Sequence, residues 1–292
     1  MLSSSTSATL TYRTVDVDGL RLFYREAGSR DAPTILLLHG FPSSSRMYDA
    51  LMPLLADRYH LVAPDYPGFG HSDAPSADSF AYTFDHLAEV IERFVEVLGL
   101  DRYVLFQQDY GGPIGIRLAV RHPERVRAII VQNAVAHEEG LGLLWVARRA
   151  FWRDRPAHEE AVISAFTSLE SARQRHVGMS PNPERYNPDS WTDEAAMLSR
   201  PGQGRIQSDL FYDYRTNVAS YPDWQAWLRE HRPPLLVVWG RYDPSFTVAG
   251  AQGYARDVPD AEVHILDAGH FALDEQLDVI AALIRDFLER SL

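Results

Sequence analysis

The chain has 292 residues, 46% of them apolar, and a formal net charge of −12. A chain of this length can bury a large core, as one α/β domain with an insertion. The negative charge argues against binding to nucleic acids or anionic membranes. Cysteine and lysine are both absent, and all 28 basic residues are arginine. This composition excludes disulfides, thiolate metal sites, Schiff-base lysines and phosphate-loop lysines.

The N-terminal residues 1–8 are rich in Ser and Thr and have neither a basic start nor an apolar run. We therefore expect a flexible end and no signal peptide. Runs of 18 apolar residues are also absent, so no transmembrane helix is expected. These features favour a cytoplasmic protein, monomeric or homodimeric, without nucleic-acid or membrane partners.

Strand-like and helix-like patterns alternate along the first 133 residues. Asp18-Gly19 separates two alternating apolar–polar runs, which predicts a β-hairpin. The later apolar runs are continuous, as expected for strands buried on both faces of a parallel sheet. Predicted strands cover residues 9–16, 20–26, 34–38, 60–63, 103–106 and 125–132, and predicted helices cover 46–55, 84–98 and 114–120.

The alternation stops at residue 134 and resumes after Pro233-Pro234. Helical patterns, Pro- and Gly-rich breaks and most of the tryptophans fill the intervening segment. Strands over 235–239 and 262–266 then alternate with helices over 248–256 and 277–288. The predicted fold class is α/β, with a mostly parallel sheet core from residues 1–133 and 232–292 and an inserted helical cap over residues 134–231.

Asp109 lies at a sharp junction between a predicted strand and a predicted helix. Gly111, Gly112 and Gly115 open the helix that follows it. A strand–turn–helix bend of this kind presents one side chain at the edge of a sheet, and serine is its usual nucleophile. A carboxylate is already ionised at neutral pH and suits attack on an sp3 carbon better than attack on an acyl group. We therefore predict that Asp109 is a nucleophile.

Two more polar residues, Asp243 and His270, each follow a predicted strand. The carboxyl ends of the strands are where open α/β sheets bind their ligands, so both are catalytic candidates. The backbone N–H groups of Phe41 and Tyr110 are the predicted oxyanion hole. Phe41 follows a neighbouring strand in a glycine-containing turn, and Tyr110 follows the predicted nucleophile.

Five motifs together resemble the α/β-hydrolases that use an aspartate nucleophile, namely the epoxide hydrolases and the haloalkane dehalogenases. The resemblance extends over nearly the whole chain. The motifs are HGFP from residue 39, DYPGFGHSD from residue 65, QDYGG from residue 108, WGRYD from residue 239 and DAGHF from residue 267.

The resemblance implies a two-step mechanism without a metal or cofactor. Asp109 would open the substrate by displacement at carbon and form an alkyl ester. His270, oriented by Asp243, would then activate water, and the N–H groups of Phe41 and Tyr110 would hold the oxyanion. The implied partners are a small apolar epoxide-type substrate and water.

The leaving group separates the two classes. Dehalogenases of this group resemble one another in having tryptophan after the nucleophile, and haloacetate dehalogenases have arginine there, whereas this chain has Tyr110. In epoxide hydrolases, cap tyrosines protonate the departing oxygen. Tyr214, which precedes Asp243 by 29 residues, resembles the later of these tyrosines. Tyr186 is the candidate for the first, with His176 as the alternative.

These features predict an epoxide hydrolase. A haloalkane or haloacid dehalogenase that uses the same Asp109, Asp243 and His270 is the alternative. A hydrolase-fold binding protein that has lost turnover is a third hypothesis.

Overall fold

The computed structural model of the chain describes residues 9–292, so the expected flexible segment, residues 1–8, lies outside the described part. Within residues 9–292, eight strands form one sheet in the order β1-β2-β4-β3-β5-β6-β7-β8. β2 is antiparallel to β1 and β4, and the other neighbours are parallel. The strands are β1 (Thr11–Val17), β2 (Leu20–Ala27), β3 (Thr34–Leu38), β4 (His60–Pro64), β5 (Tyr103–Gln108), β6 (Val126–Gln132), β7 (Leu235–Gly240) and β8 (Glu262–Leu266).

Ten α-helices occur in the described part of the chain. They are α1 (Met52–Leu55), α2 (Phe84–Val97), α3 (Gly111–Arg121), α4 (Trp145–Arg153), α5 (Arg155–Thr167), α6 (Leu169–Val177), α7 (Pro188–Leu198), α8 (Gln203–His231), α9 (Val248–Asp257) and α10 (Leu273–Ser291). None of them, within residues 9–292, has both the length and the apolar character needed to cross a bilayer.

The central strands are apolar throughout because both faces of the sheet are covered. In β5, Tyr103 and Leu105 belong to one apolar cluster, while Val104 and Phe106 belong to the cluster on the other face. This alternation follows from the two-residue period of a strand. The predicted fold class, a mostly parallel α/β sheet flanked by helices, is confirmed.

The predicted helix over residues 46–55 is wrong. The chain instead forms a short 3-10 helix, Ser45–Tyr48, followed by the single turn of α1. Pro53 lies in the first turn of α1. A proline has no N–H to donate to the preceding turn, and its ring disfavours a helical conformation in the residue before it. Pro53 therefore disfavours one continuous helix through this position.

Between β6 and β7 the chain leaves the sheet and forms α4 to α8. We refer to residues 134–231 as the inserted segment. Its longest helix, α8, has 29 residues and packs against α2 and α3 of the sheet layer as well as against α4 and α5. α8 therefore connects the inserted segment to the helices beside the sheet.

The edge of the sheet at the carboxyl ends of the strands positions the site. Phe41, Asp109 and Asn133 lie beyond the ends of β3, β5 and β6, which are neighbours. Asp243 and His270 lie beyond the ends of β7 and β8, the next strands along the same edge. Parallel strands end on the same side, so these five residues converge.

Candidate active site

Asp109 occupies a strained position between β5 and α3. Its φ angle is 47°, in the left-handed region that residues with a side chain rarely adopt. The bend is tight, because a Cβ at Gly111 would lie 2.1 Å from the carbonyl oxygen of Leu38. A glycine is therefore required at residue 111. Strain of this kind at a sheet edge is typical of a functional residue.

The carboxylate of Asp109 is held by two backbone N–H groups. Its Oδ1 accepts hydrogen bonds from the N–H of Phe41 at 2.9 Å and from the N–H of Tyr110 at 2.7 Å. Its Oδ2 faces His270, with 3.7 Å between Oδ2 and Nε2. The two carboxylate oxygens therefore have different environments, one in a site that stabilises negative charge and one beside an imidazole.

His270 is oriented by Asp243. Nδ1 of His270 lies 2.6 Å from Oδ2 of Asp243. A carboxylate only accepts hydrogen bonds, so Nδ1 carries the proton and Nε2 keeps the lone pair that a base needs. The side-chain amide of Asn133, at the end of β6, also donates to Oδ2 of Asp243 at 2.9 Å. These contacts fix the imidazole in the tautomer that a general base needs.

The other carboxylate oxygen of Asp243 accepts hydrogen bonds from the backbone of its own loop. Oδ1 accepts from the backbone N–H groups of Ser245 at 2.7 Å and Phe246 at 3.0 Å. Buried carboxylates need such donors, because an unsatisfied charge in the interior is costly. Asp243 is therefore held in place beneath His270.

Burial and charge act in opposite directions on the two reacting groups. Burial lowers the pKa of His270, but the carboxylates of Asp243 and Asp109 outweigh it and raise that pKa above the ordinary 6.5. For Asp109, burial dominates and raises the pKa above 3.8. His270, the two N–H groups and Arg148 act to lower it. These neighbours therefore favour the ionised carboxylate that an attack on carbon requires.

A small cavity of about 20 Å³ adjoins these groups. This volume corresponds to about one water molecule. Its wall combines the catalytic candidates with aromatic and cationic side chains. The lining residues are Phe41, Asp109, Tyr110, Trp145, Arg148, Arg175, Phe211, Tyr214, Pro244, Ser245 and His270.

Tyr214, on α8, is on the wall of this cavity and is fully buried. Its ring packs against that of Trp145, with 4.5 Å between centroids. Its hydroxyl has only a long contact of 3.5 Å with the hydroxyl of Tyr221. Burial raises the pKa of Tyr214 well above 10, so the hydroxyl stays protonated. Tyr214 therefore lies on the cavity wall with its hydroxyl protonated.

Tyr186 and His176, the two candidates for a first cap donor, do not line the cavity. The hydroxyl of Tyr186 donates to Oε2 of Glu275 on α10. Both ring nitrogens of His176 are used, by Asp274 at 2.7 Å and by Glu194 at 2.9 Å. The expectation that either one faces the nucleophile is not met by this geometry, because both point into the contact between the inserted segment and α10.

Four residues at the site had no assigned role in the sequence reasoning. Gln108 donates from its amide to Nε2 of His270 at 2.9 Å, and Asn133 supports Asp243. Their signal in the sequence is a polar side chain at, or just after, the end of a buried strand. Arg148 and Arg175 line the cavity from α4 and α6. Their sequence gives no signal, because arginines on a helix are usually solvated. In the described part of the chain, no group of three or more His, Asp or Glu side chains could hold a metal ion.

This fold and this arrangement of an acid, a histidine and a strained carboxylate define a hydrolase class. The chain belongs to the α/β-hydrolase family, since the alpha/beta hydrolase fold matches residues 33–277. An uncharacterized hydrolase of Saccharomyces cerevisiae is 41% identical over 269 residues, which cover 90% of this chain and 92% of the yeast protein.

Two other proteins are also similar to the whole chain. A haloalkane dehalogenase of Psychrobacter cryohalolentis is 28% identical over 282 residues, covering 92% of this chain and 88% of the dehalogenase. The crystal structure of wild-type Cfl2 from Burkholderia cenocepacia superposes with a TM-score of 0.80 at 27% identity, covering 95% of each chain. These comparisons identify an α/β-hydrolase and leave its substrate to chemical argument.

Proposed function

We propose that this hydrolase opens epoxides to vicinal diols through an ester on Asp109. The observation that carries the proposal is Tyr214, whose side chain lines the same cavity as Asp109 and whose hydroxyl stays protonated. An epoxide oxygen leaves as an alkoxide, which is a strong base and needs a proton as the ring opens. Tyr214 supplies that proton.

Trp145 and Trp152, the two tryptophans that pack against Tyr214, support an oxygen leaving group over a halide. The indole N–H of Trp145 donates to the carbonyl oxygen of Ser245 at 3.0 Å, and that of Trp152 donates to the carbonyl oxygen of Phe211 at 2.7 Å. Both donors are therefore already used. Cleavage of carbon–halogen bonds through the same Asp109 is the second candidate, favoured by the similarity to the Psychrobacter dehalogenase.

In the first step, Oδ2 of Asp109 attacks a ring carbon. The new bond joins Oδ2 to carbon, the ring carbon–oxygen bond breaks, and the departing oxygen takes the proton of Tyr214. Oδ1 stays bound to the N–H groups of Phe41 and Tyr110 throughout. The product of this step is an alkyl ester whose carbonyl oxygen already lies in the oxyanion site.

In the second step, His270 takes a proton from water, which adds to the ester carbonyl. The negative charge develops on Oδ1, where the two N–H groups stabilise it. Collapse of this intermediate expels the second alkoxide of the diol, which takes the proton from His270. Asp109 is left as the acid, and its proton restores Tyr214. The sum is one epoxide and one water converted to one diol.

The leaving group is tested with a matched substrate panel. Terminal epoxides are assayed for diol, and 1-bromoalkanes of the same chain length are assayed for bromide. We expect diol from the epoxides. Bromide release without diol formation from any epoxide would contradict the proposal and favour the second candidate.

The covalent step is tested with His270→Gln, which leaves Asp109 intact but removes the base. We expect the variant to accumulate the ester, observed as the mass of one substrate added to the peptide that contains Asp109. His264→Gln, at a histidine on β8, is the matched control and should show no added mass. Absence of the adduct with an epoxide that the wild type turns over would exclude the ester mechanism.

A further inference from the structure

Two arginines share the wall of the catalytic cavity with Asp109. Arg148 lies on α4 and Arg175 on α6, and both are half-buried. The guanidinium of Arg148 lies 4.4 Å from the ring centroid of Trp145, and that of Arg175 lies 4.7 Å from the centroid of Phe41. Cation–π contacts with these aromatic rings therefore stabilise both guanidinium groups at the site.

Neither arginine has an anionic partner. Within residues 9–292, no carboxylate oxygen lies within 4.0 Å of a nitrogen of either guanidinium. Arg148 has only a contact of 3.5 Å with Oγ of Ser245, and Nη2 of Arg175 donates to the carbonyl oxygen of Phe166 at 3.3 Å. Nη1 of Arg175 is buried without any hydrogen-bond partner in the described residues. An unsatisfied buried donor is costly, so a ligand is the expected partner.

Their neighbours on the same helices behave differently. Arg149 on α4 pairs with Glu138, and Arg173 on α6 pairs with Glu170. Arg148 and Arg175 are thus set apart from adjacent arginines by facing the cavity and by lacking a carboxylate. Asp109 is not the missing carboxylate partner, because its Oδ1 is held by backbone N–H groups and its Oδ2 faces His270.

The two arginines also mark the boundary between two cavities. Beyond the small inner cavity lies an outer one of about 610 Å³, and both are lined by Arg148, Arg175, Pro244 and Ser245. The outer cavity is mainly apolar. Its other lining residues include Leu144, Val162, Ala165, Phe166 and Met179. A substrate that reaches Asp109 therefore has its reacting carbon in the inner cavity. The group bonded to that carbon lies beside the two arginines, and the rest of its chain lies in the apolar outer cavity.

We propose that Arg148 and Arg175 bind a carboxylate that the substrate carries next to its reacting carbon. The inference rests on the proposed function. If the substrate is an epoxide and carries this carboxylate, it is an aliphatic 2,3-epoxy acid. A guanidinium donates two parallel hydrogen bonds to a carboxylate, a geometry that an amide or a hydroxyl does not match. The two positive charges also offset the repulsion between the anionic substrate and the carboxylate of Asp109.

The test compares substrates that differ only in charge. The probes are 2,3-epoxyoctanoate, its uncharged amide 2,3-epoxyoctanamide, and 1,2-epoxyoctane. The ratio of kcat/KM for the acid to that for the amide should be on the order of 100 in the wild type. Charge-assisted hydrogen bonds to a buried guanidinium have about this strength. A ratio near one would overturn the inference.

Variants then assign the preference to the two residues. Arg148→Met and Arg175→Met should each lower the acid-to-amide ratio by about 10-fold or more. Arg149→Met and Arg173→Met remove the same charge from the same helices outside the cavity and should leave the ratio unchanged. Octanoate, which cannot react, should inhibit competitively, with a higher inhibition constant in Arg148→Met. Equal ratios in all five proteins would exclude the arginines as the carboxylate site.

The outcomes separate this inference from the proposed function. Diol from 1,2-epoxyoctane without preference for the acid would contradict the inference alone. Absence of diol from all three epoxides would contradict the proposed function. In that case, bromide release from 2-bromooctanoate but not from 2-bromooctanamide, dependent on Arg148, would show that the arginines bind a carboxylate in a dehalogenase.

Discussion

The side-chain amide of Gln108 donates a hydrogen bond of 2.9 Å to Nε2 of His270. In the proposed mechanism, Nε2 is the atom that takes a proton from water when the Asp109 ester is hydrolysed. Gln108 thus occupies the lone pair of the base in the resting site, and its amide must give way to water during the reaction. The contact has a direct effect on acidity, because a donor to the lone pair of a neutral imidazole favours the neutral form.

Replacing Gln108 with methionine removes this donor at similar side-chain length. The pKa of His270 should rise, and the acidic limb of the rate of ester hydrolysis should move to higher pH by about 0.7 unit, which corresponds to the loss of one hydrogen bond of about 1 kcal/mol. Single-turnover rates between pH 5 and 9 measure the shift. Gln107→Met is the control at the adjacent buried residue. An unshifted limb in Gln108→Met would mean that the contact has no role in setting the base.

The wild-type profile itself follows from the charges around His270. The carboxylates of Asp243 and Asp109 raise the pKa of His270 above 6.5. A general base works only when deprotonated, so hydrolysis of the ester should decline as pH falls through the pKa of His270. Asp109 is uncharged in the ester, so this midpoint should lie below that for titration of His270 in the free enzyme, which is above pH 6.5 and can be followed by NMR of the imidazole. The rate of ester formation, measured separately in His270→Gln, should lack this limb. A midpoint for the ester at or above that of the free enzyme would contradict the role of the Asp109 charge.

Tyr214→Phe tests the proton donor of ring opening. The phenyl ring keeps the packing against Trp145 but lacks the hydroxyl, so formation of the ester should slow on the order of 100-fold. Hydrolysis of the ester once formed should change little, because water is activated by His270. Rapid-quench measurement of adduct formation separates the two steps. Tyr212→Phe, two residues earlier on α8, is the matched control. A normal rate of ester formation in Tyr214→Phe would restrict Tyr214 to packing.

Much of this organisation could be predicted from the sequence because it depends on short-range patterns. Continuous apolar runs identify buried strands, and a polar residue just after such a run lies at the edge of the sheet where ligands bind. Asp109, Asp243 and His270 all follow this rule, and the structure brings the three together. On this geometry we propose catalytic roles for all three.

The inserted segment could not be predicted to the same depth. Its helices have no sheet to fix their register, so the sequence does not reveal which face meets the cavity. The sequence suggests Tyr186 as the first cap donor, but its hydroxyl donates to Glu275 instead. Arg148 and Arg175 resemble solvated arginines in sequence, and only the packed structure places them beside Asp109.

His176 joins the inserted segment to the core. Burial alone would lower the pKa of this residue, but Glu194 on α7 and Asp274 on α10 outweigh it and raise the pKa to about 10. The imidazole is therefore protonated at neutral pH and forms ion pairs on both sides. Phe271, the residue after His270, stacks on the ring of His176 with 4.1 Å between centroids.

His176→Gln removes the charge that links α6 to α10 and leaves two carboxylates without their cation. Breaking a buried ion pair in this way costs about 3 kcal/mol of unfolding free energy. The pKa of His176 is raised from 6.5 on folding, so its contribution is fully present below pH 6.5 and is lost as pH rises through about 10. Thermal unfolding from pH 6 to pH 10 should therefore show a gap in Tm between wild type and His176→Gln that is largest at pH 6 and shrinks toward pH 10. His71→Gln, at an exposed histidine, should show no such gap. A gap that widens with pH would mean that His176 is buried as the neutral imidazole.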